Sequence, residues 1–365
     1  MKNKRIAFYL GSLTKGGAER VVTNLAEYFC SKGYTVFVIT KLKAKEEYTL
    51  SEGITRIIAD IKKEEEKGRI RNLYLRIRKL RRIIKEVNPE VVVSFIGKNN
   101  LMSIAATRGT GIPVVVSVRS NPEREIGSGW KKILYFLMFQ LAEGVVLQTN
   151  QAKDFFPKSI QSKAIVLQNS INPEFIRMVY AGEKNKEIVS VGRIDKNKNQ
   201  RMLIEAFTPI ASDFPEWKIV LYGDGVERES LERRVRELQL TDRIVFRGVQ
   251  DNIAEKIEKA SIFALTSKQE GMPNALIEAM VLGLAVVSTD CPCGGPRDLI
   301  VSGENGILIP VDDVDALTKV LTEMITDAEL RDRYAKNAMQ IKQKVLPDRI
   351  NKEWEEYLRR IVEGK

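Results

Sequence analysis

Glu270-Gly-Met-Pro-Asn-Ala-Leu-Ile-Glu278 sets two glutamates with seven residues between them across a change from strand to helix. Before it, Ser261-Ile-Phe-Ala-Leu-Thr266 is an apolar run of strand length. After it, Asn274 to Leu282 is apolar at helical spacing, and Ala285-Val-Val-Ser288 reads as strand again. Pro273 suits a first helical turn, where its missing N–H costs nothing, and Gly283 suits a helix end. The unit is therefore strand–loop–helix–strand, with Glu270 in the loop and Glu278 inside the helix. Free amides at Asn274, Ala275 and Leu276 would face whatever lies beyond the strand's carboxyl end, which is an anion site. Phosphates on the amides, sugar hydroxyls on Glu270 and ribose hydroxyls on Glu278 fit a sugar nucleotide. Two solvated glutamates flanking an ordinary helix fit this stretch equally well, so the rest of the chain decides.

Repeating the same reading outward gives an α/β chain. Arg5–Leu10 is a buried-type strand, and Gly11-Ser-Leu-Thr-Lys-Gly-Gly17 follows it. Ala18, Val21, Val22, Leu25, Ala26 and Phe29 then line one helix face. Thr35–Thr40 is the next strand. Glu90–Phe95, Pro113–Val118, Gly144–Thr149 and Ala164–Gln168 are further strands, with helical stretches between them as parallel crossovers require. The segment from Asn169 to Lys186 turns polar and reads as a linker. A second series follows at Glu187–Gly192, Trp217–Tyr222, Arg243–Phe246, Ser261–Thr266, Ala285–Ser288 and Ile307–Ile309. Asp315–Thr326 and Leu330–Lys344 read as amphipathic helices, and Asp348–Val362 as a last helix that returns to the first domain. At 365 residues the chain exceeds one comfortable core. Two doubly wound, Rossmann-like α/β domains are expected, residues 1–175 (with 348–365 returning) and 183–347, facing across a cleft.

Charge divides along the same line. Residues 1–175 carry 30 Lys and Arg against 16 Asp and Glu, whereas residues 176–365 carry 29 against 32. Between 67 and 85 lie Lys67, Arg69, Arg71, Arg76, Arg78, Lys79, Arg81, Arg82 and Lys85 with no acidic residue. Ile70, Leu73, Ile77, Leu80, Ile83, Ile84 and Val87 are interleaved at helical spacing, which a core-packed helix with a solvated face explains. The single sign of the charge favours an anionic membrane surface over nucleic acid, for which no binding motif is present. Trp130-Lys-Lys-Ile-Leu-Tyr-Phe-Leu-Met-Phe139 reads first as a core helix and second as a contact with bilayer or lipid acceptor. No apolar run reaches the ~18 residues of a spanning helix, and the N-terminus lacks a signal-peptide core. Cys30, Cys291 and Cys293 form no disulfide framework or zinc pattern, and the chain has no histidine. A cytoplasmic protein, peripheral on the inner face of the plasma membrane, is expected, with no metal and no cofactor.

Three strand ends in the second half carry groups that would converge at one crevice. Gly192-Arg193 ends the first, with Lys198 five residues on; Gly223-Asp224-Gly225 ends the next, and Arg247-Gly248-Val249 the one after. Arg193 and Lys198 offer a fork and a point charge, a suitable pair for a diphosphate. Gly16-Gly17 opens a helix and suits either close approach of a ligand or a plain tight turn.

This constellation resembles the family 4 retaining glycosyltransferases of the GT-B fold, of the type that builds bacterial surface glycans. The resemblance rests on Gly16-Gly17-Ala18-Glu19-Arg20, Val191-Gly-Arg-Ile-Asp-Lys-Asn-Lys198, Leu203-Ile-Glu-Ala206, Tyr222-Gly-Asp-Gly225, Phe246-Arg-Gly248 and the Glu270…Glu278 pair. It implies that Gly16 and Gly17 approach the donor phosphate and that Arg193 and Lys198 bind the diphosphate. Glu270 would hold sugar hydroxyls, and Glu278 the ribose. Gly223 and the backbone of Arg247–Val249 would meet the nucleotide, and Gly271, Met272, Pro273, Asn274, Ala275 and Leu276 would complete the donor site. Arg193, Lys198 and Glu270 form the implied catalytic set. Many members place a histidine after a strand of the N-terminal domain; here Val118-Arg-Ser-Asn-Pro122 stands there, and Arg119 or Asn121 would contact donor or acceptor instead. Thr289-Asp-Cys-Pro-Cys-Gly-Gly-Pro-Arg-Asp298 resembles the segment of members that use UDP-sugars. The expected reaction moves a hexose or N-acetylhexosamine from a UDP-sugar to a glycan acceptor, either an oligosaccharide or one linked to a polyprenyl diphosphate lipid. The alternatives are a sugar-nucleotide hydrolase or epimerase and a non-catalytic sugar-nucleotide-binding scaffold subunit.

Overall fold

A computed structural model describes residues 4–14, 16–61 and 68–364, so Lys15 and the first cation of the basic run, Lys67, lie outside the described residues. The chain forms two compact units, Met1–Ser170 with Pro347–Lys365, and Ile171–Leu346.

The first unit is a seven-stranded parallel sheet in the order β3-β2-β1-β4-β5-β6-β7. Its strands are β1 Arg5–Leu10, β2 Thr35–Thr40, β3 Ile54–Ile58, β4 Val91–Phe95, β5 Val114–Ser117, β6 Gly144–Leu147 and β7 Ala164–Val166. Its helices, in chain order, are α1 Gly17–Ser31, α2 Arg69–Val87, α3 Gly97–Thr107, α4 Pro122–Ile126, α5 Trp130–Gln140, α6 Asn150–Asp154 and α7 Lys158–Gln161. Strands β4 to β6 are buried along their whole length, which is why they read as unbroken Val-rich runs rather than alternating ones. Strand β3 escaped the sequence reading because it is an edge strand, only partly covered, with Arg56 at its centre.

The second unit repeats the design with six parallel strands in the order β10-β9-β8-β11-β12-β13. These are β8 Asn185–Val191, β9 Lys218–Tyr222, β10 Ile244–Gly248, β11 Ala260–Leu265, β12 Ala285–Thr289 and β13 Ile307–Ile309. The connecting helices are α8 Gln200–Phe207, α9 Arg228–Glu237, α10 Ile253–Ile257, α11 Asn274–Val281, α12 Gly295–Leu299, α13 Val314–Thr326, α14 Ala328–Ala338 and α15 Lys342–Val345. The helix expected over Leu330–Lys344 is thus broken by a 3-10 turn at Met339–Ile341. The segment read as a linker sends Ile171 and Phe175 into this unit's core.

The last helix, α16 Pro347–Glu363, belongs to the first unit. Trp354 is fully buried and stacks on Phe95 with ring centroids 5.9 Å apart. Tyr357 Oη accepts from Val145 N at 3.0 Å and donates to the Lys163 carbonyl at 2.8 Å. Each such bond is worth about 1 kcal/mol net and would cost more if one partner were stranded.

The two amphipathic candidates depart from the core-packed expectation. In α2 only Leu80, Ile83, Ile84 and Val87 are buried, while Ile70 is 88% and Leu73 49% exposed. The core thus claims the C-terminal half of the stripe and leaves the N-terminal half outside. In α5 only Tyr135 and Phe139 are buried, which corrects the core-helix reading of that segment. Among the described residues, no helix is long and apolar enough to cross a membrane.

Candidate functional site

The second sheet changes direction between β8 and β11, and the loops leaving these neighbouring strands carry the expected cations and carboxylate. Lys198 Nζ lies 2.6 Å from Glu270 Oε1, with the two side chains 19% and 13% exposed. Ser267 Oγ, fully buried, reaches the same oxygen at 2.6 Å. A charge-assisted contact and a hydroxyl donor therefore set the rotation of the Glu270 carboxylate. Thr289 Oγ1 donates to the Ser267 carbonyl at 2.5 Å, fastening that residue from β12.

The backbone holds Glu270 as firmly. Glu270 N donates to the Pro292 carbonyl at 2.8 Å, and Cys293 N donates to the Glu270 carbonyl at 2.9 Å. The Cys-Pro-Cys-Gly-Gly segment is thus the wall behind the glutamate. A Cβ on Gly295 would stand 1.7 Å from the Gly271 carbonyl oxygen, so only glycine permits this approach. Burial pushes the Cys291 thiol up to about 12, with the Glu270 charge adding to the effect, so this cysteine stays a neutral packing group.

Lys198 is placed by an aspartate that sequence reasoning passed over. Asp195 Oδ1 accepts from Asn197 N at 3.0 Å and Lys198 N at 2.8 Å, an Asx-type turn. Its other oxygen lies 3.5 Å from Arg193 Nη2. One carboxylate therefore organises both cations. Asn197 ties this loop to the next by donating to the Gln269 carbonyl at 3.0 Å, and Lys268 N donates to the Asn197 carbonyl at 2.7 Å. The signal was legible in principle: Asp195 stands three residues before Lys198, and Ser267 three before Glu270. Arg193 points outward, its side chain 81% exposed.

Helix α11 begins at Asn274, where the apolar helical spacing begins. Pro273 is its N-cap in extended geometry (φ −79°, ψ 98°), not part of the first turn. Leu276 N donates to the Pro273 carbonyl at 3.1 Å, so this amide is already used, which corrects the reading of three free amides. Among the described residues, the Ala275 amide has no backbone partner. Met272 is buried, and so is Glu278, one turn into α11. At the neighbouring strand ends, Gly223 N donates to the Gly248 carbonyl and Gly192 N to the Tyr222 carbonyl. Gly223 adopts φ +128°, and a Cβ there would meet the Gly192 oxygen at 1.9 Å. Arg247 and Val249 are exposed beside these turns, and the Arg247 carbonyl accepts from Gln250 Nε2 at 2.7 Å.

The remaining expected residues lie in the first unit. Gly16 caps α1 and Gly17 is its first residue, beyond the carboxyl end of β1. The Glu19 carboxylate sits where a Cβ on Gly16 would be, and burial raises its pKa. Arg119 follows β5 and donates through Nη2 to Asn169 Oδ1, which also accepts from Gln148 Nε2. Its Nε and Nη1 are enclosed with no hydrogen-bond partner among the described residues, and burial lowers the guanidinium to about 9, still protonated at neutral pH. Asn121 is occupied as the N-cap of α4, accepting from Glu123 N at 2.9 Å. Glu125, missed in the sequence, accepts from Gly97 N and Ser120 Oγ, both at 2.6 Å, and burial raises its pKa.

Comparison with known proteins gives this geometry a family. Residues 173–341 match the family model described as Glycosyl transferases group 1, and residues 15–175 match the one described as Glycosyltransferase Family 4. A Campylobacter jejuni enzyme is 28% identical over 99% of each chain; it is named GalNAc-alpha-(1->4)-GalNAc-alpha-(1->3)-diNAcBac-PP-undecaprenol alpha-1,4-N-acetyl-D-galactosaminyltransferase. A second from that organism, N-acetylgalactosamine-N,N'-diacetylbacillosaminyl-diphospho-undecaprenol 4-alpha-N-acetylgalactosaminyltransferase, is 27% identical over 92% of this chain and 94% of its own. Among solved structures, sucrose-phosphate synthase from Thermosynechococcus elongatus superposes with a TM-score of 0.82 at 18% identity, covering 99% of this chain and 100% of the other. Anabaena HepE in complex with UDP gives the same score and identity, covering 97% and 99%. With its two halves matched by these two models and its fold shared with such enzymes, the chain belongs to the family 4 glycosyltransferases of the GT-B fold.

Proposed function

We propose that the protein is a retaining glycosyltransferase that moves a hexose or N-acetylhexosamine from a UDP-sugar to a glycan carried on a polyprenyl diphosphate, during assembly of a bacterial surface glycan. The observation that carries this reading is the pairing of Lys198 with Glu270 beside the N-terminus of α11. It sets a cation, a fixed carboxylate and a helix end around one place, as a diphosphate-linked sugar requires. The C. jejuni relatives, whose names specify undecaprenyl-diphosphate acceptors, support the acceptor class, and the UDP complex of HepE supports the donor.

In this reading Arg193 and Lys198 stabilise the departing diphosphate, Glu270 holds sugar hydroxyls through its second oxygen, and Glu278 holds the ribose. An acceptor hydroxyl forms the new bond to the sugar's anomeric carbon while the bond to the phosphate oxygen breaks. The acceptor proton passes to that phosphate oxygen, and UDP leaves. The two cations and the helix end carry the developing charge without a metal, so chelator should leave transfer unchanged. The chain works at the inner face of the plasma membrane.

A thermal-shift panel of UDP, GDP, ADP and their sugar conjugates tests the donor. A ligand that binds only the folded state at about 100 times its Kd adds about 2.7 kcal/mol, enough for a shift of several degrees. Uridine compounds alone should raise the melting temperature, most strongly with one sugar, and Glu278→Ala should abolish the shift. A chain that responds to no nucleotide would overturn the reading.

A further inference from the structure

Helices α2 and α5 leave the first sheet on the same side. The connections β3 to β4 and β5 to β6 run in one direction across the strand order, so right-handed crossovers place both helices on one face, and α3 packs against each. On α5, Tyr135 and Phe139 face the protein, while Trp130, Ile133, Leu134, Leu137 and Leu141 stand between 40% and 70% exposed. At 100° per residue those five fall within an arc of about 100° opposite the buried pair. Such a continuous stripe differs from the isolated apolar residues that any surface carries. Lys131 is exposed on its flank, and Lys132 is held over the rings of Phe136 and Phe155 at 5.5 and 4.3 Å.

The outward side of α2 supplies the complementary feature. Arg76 turns inward to Asp60 at 3.0 Å, Lys79 to the Asp60 carbonyl, and Arg81 to carbonyls of Ala106 and Arg108. Arg71, Arg78, Arg82 and Lys85 instead share the solvent face, bordered by exposed Ile70 and Tyr74. Only Arg82 has an acidic partner among the described residues, Glu86 at 3.5 Å.

We propose that α5 and the outward face of α2 form one docking surface whose occupant is a bilayer containing anionic lipid. The α5 stripe enters the boundary between headgroups and acyl chains, and the α2 cations lie on the phosphates. Charge selects this occupant over a second copy of the chain, because a two-fold contact would set an uncompensated row of cations against itself. The inference deepens the proposed function, on which it rests, by naming where the chain meets the membrane that holds its acceptor.

Trp130 reports on this directly, since the other two tryptophans, Trp217 and Trp354, are at most 2% exposed. Vesicles of mixed phosphatidylglycerol and phosphatidylcholine should shift its emission to the blue and make it quenchable by brominated acyl chains. The Trp130→Phe variant should show no shift. The paired change Ile133→Asp with Leu137→Asp should cut vesicle partitioning more than tenfold, with melting temperature and UDP response unchanged. Replacing Arg71, Arg78 and Lys85 with Gln should weaken binding roughly a hundredfold at low salt, from three charges near the surface, and little at ~1 M salt, where screening is nearly complete. Unmoved Trp130 emission, or wild-type partitioning by the aspartate variant, overturns the proposal. So does a wild-type dimer that the aspartate variant converts to monomer without any vesicle binding. Loss of docking with an intact UDP response leaves the transferase reading standing, whereas docking without any nucleotide response sinks that reading alone.

Discussion

The Lys198–Glu270 contact can be tested as a cycle. Lys198→Ala leaves a carboxylate that is 13% exposed with one neutral donor, Ser267 Oγ, and Glu270→Ala leaves an ammonium that is 19% exposed without its partner. Removing one member of a fully buried pair costs 3–5 kcal/mol; the residual exposure here puts each single change at about 2 kcal/mol. In a unit of this size that lowers the melting temperature by about 4–8 °C. The double variant strands neither charge, so it should be more stable than the sum of the singles by about 1–2 kcal/mol. Activity should follow a different rule. Each single change should reduce transfer by about 10²–10³, the usual cost of losing one preorganised charge contact to a transition state, and the double variant should regain stability without regaining transfer. Thermal melts and a radiolabelled sugar-transfer assay on the four proteins measure both. Additive stability together with wild-type transfer by Lys198→Ala would refute the reasoning.

Asp195→Ala should cost about 1 kcal/mol and slow transfer, while Asp195→Asn, which keeps the oxygen that accepts from Asn197 N and Lys198 N, should recover most of both. Equal kcat for the two variants would remove its positioning role. Gly295→Ala drives a methyl into the Gly271 carbonyl and must displace the Glu270 loop, so transfer should fall by tenfold or more; an unchanged rate would show that the loop's position is immaterial. The bidentate contact from Arg56, whose Nη1 lies 2.6 Å from Glu47 Oε2, holds the Glu47 carboxyl down to about 2 from 4.5. Because the folded state lowers this pKa, its stabilisation is present above 4.5 and is lost as pH falls through about 2. Melting temperatures measured across that interval should fall less steeply for Glu47→Gln than for the wild type, and parallel curves would contradict the assignment.

Most strands were legible because a parallel sheet covered on both faces demands unbroken β-branched runs, and Val91–Phe95 or Ala285–Thr289 admit little else. Strand β3 was not, because an edge strand with Arg56 at its centre lacks that signature. The loop chemistry was partly legible. Glycines, cations and the glutamate pair stood at strand ends, but Asp195 and Ser267 act through hydrogen bonds to neighbours whose importance depends on what else the loop touches.

The sequence by itself determined the alternation of strands and helices, the two sheets, the basic front half and the family, because periodicity, glycine placement and charge are local properties. Only the tertiary structure decided that Lys198 meets Glu270 across 72 positions of sequence and that Arg193 points outward. It alone showed that Asn121 is spent as a helix cap. It also decided that the apolar stripe of α5 stays uncovered. For the ion pair and the uncovered stripe the physical reason is the same. A side chain's type sets what it can bind or bury, but which partner or face it receives is set by elements distant in the chain, which only the packed fold brings beside it.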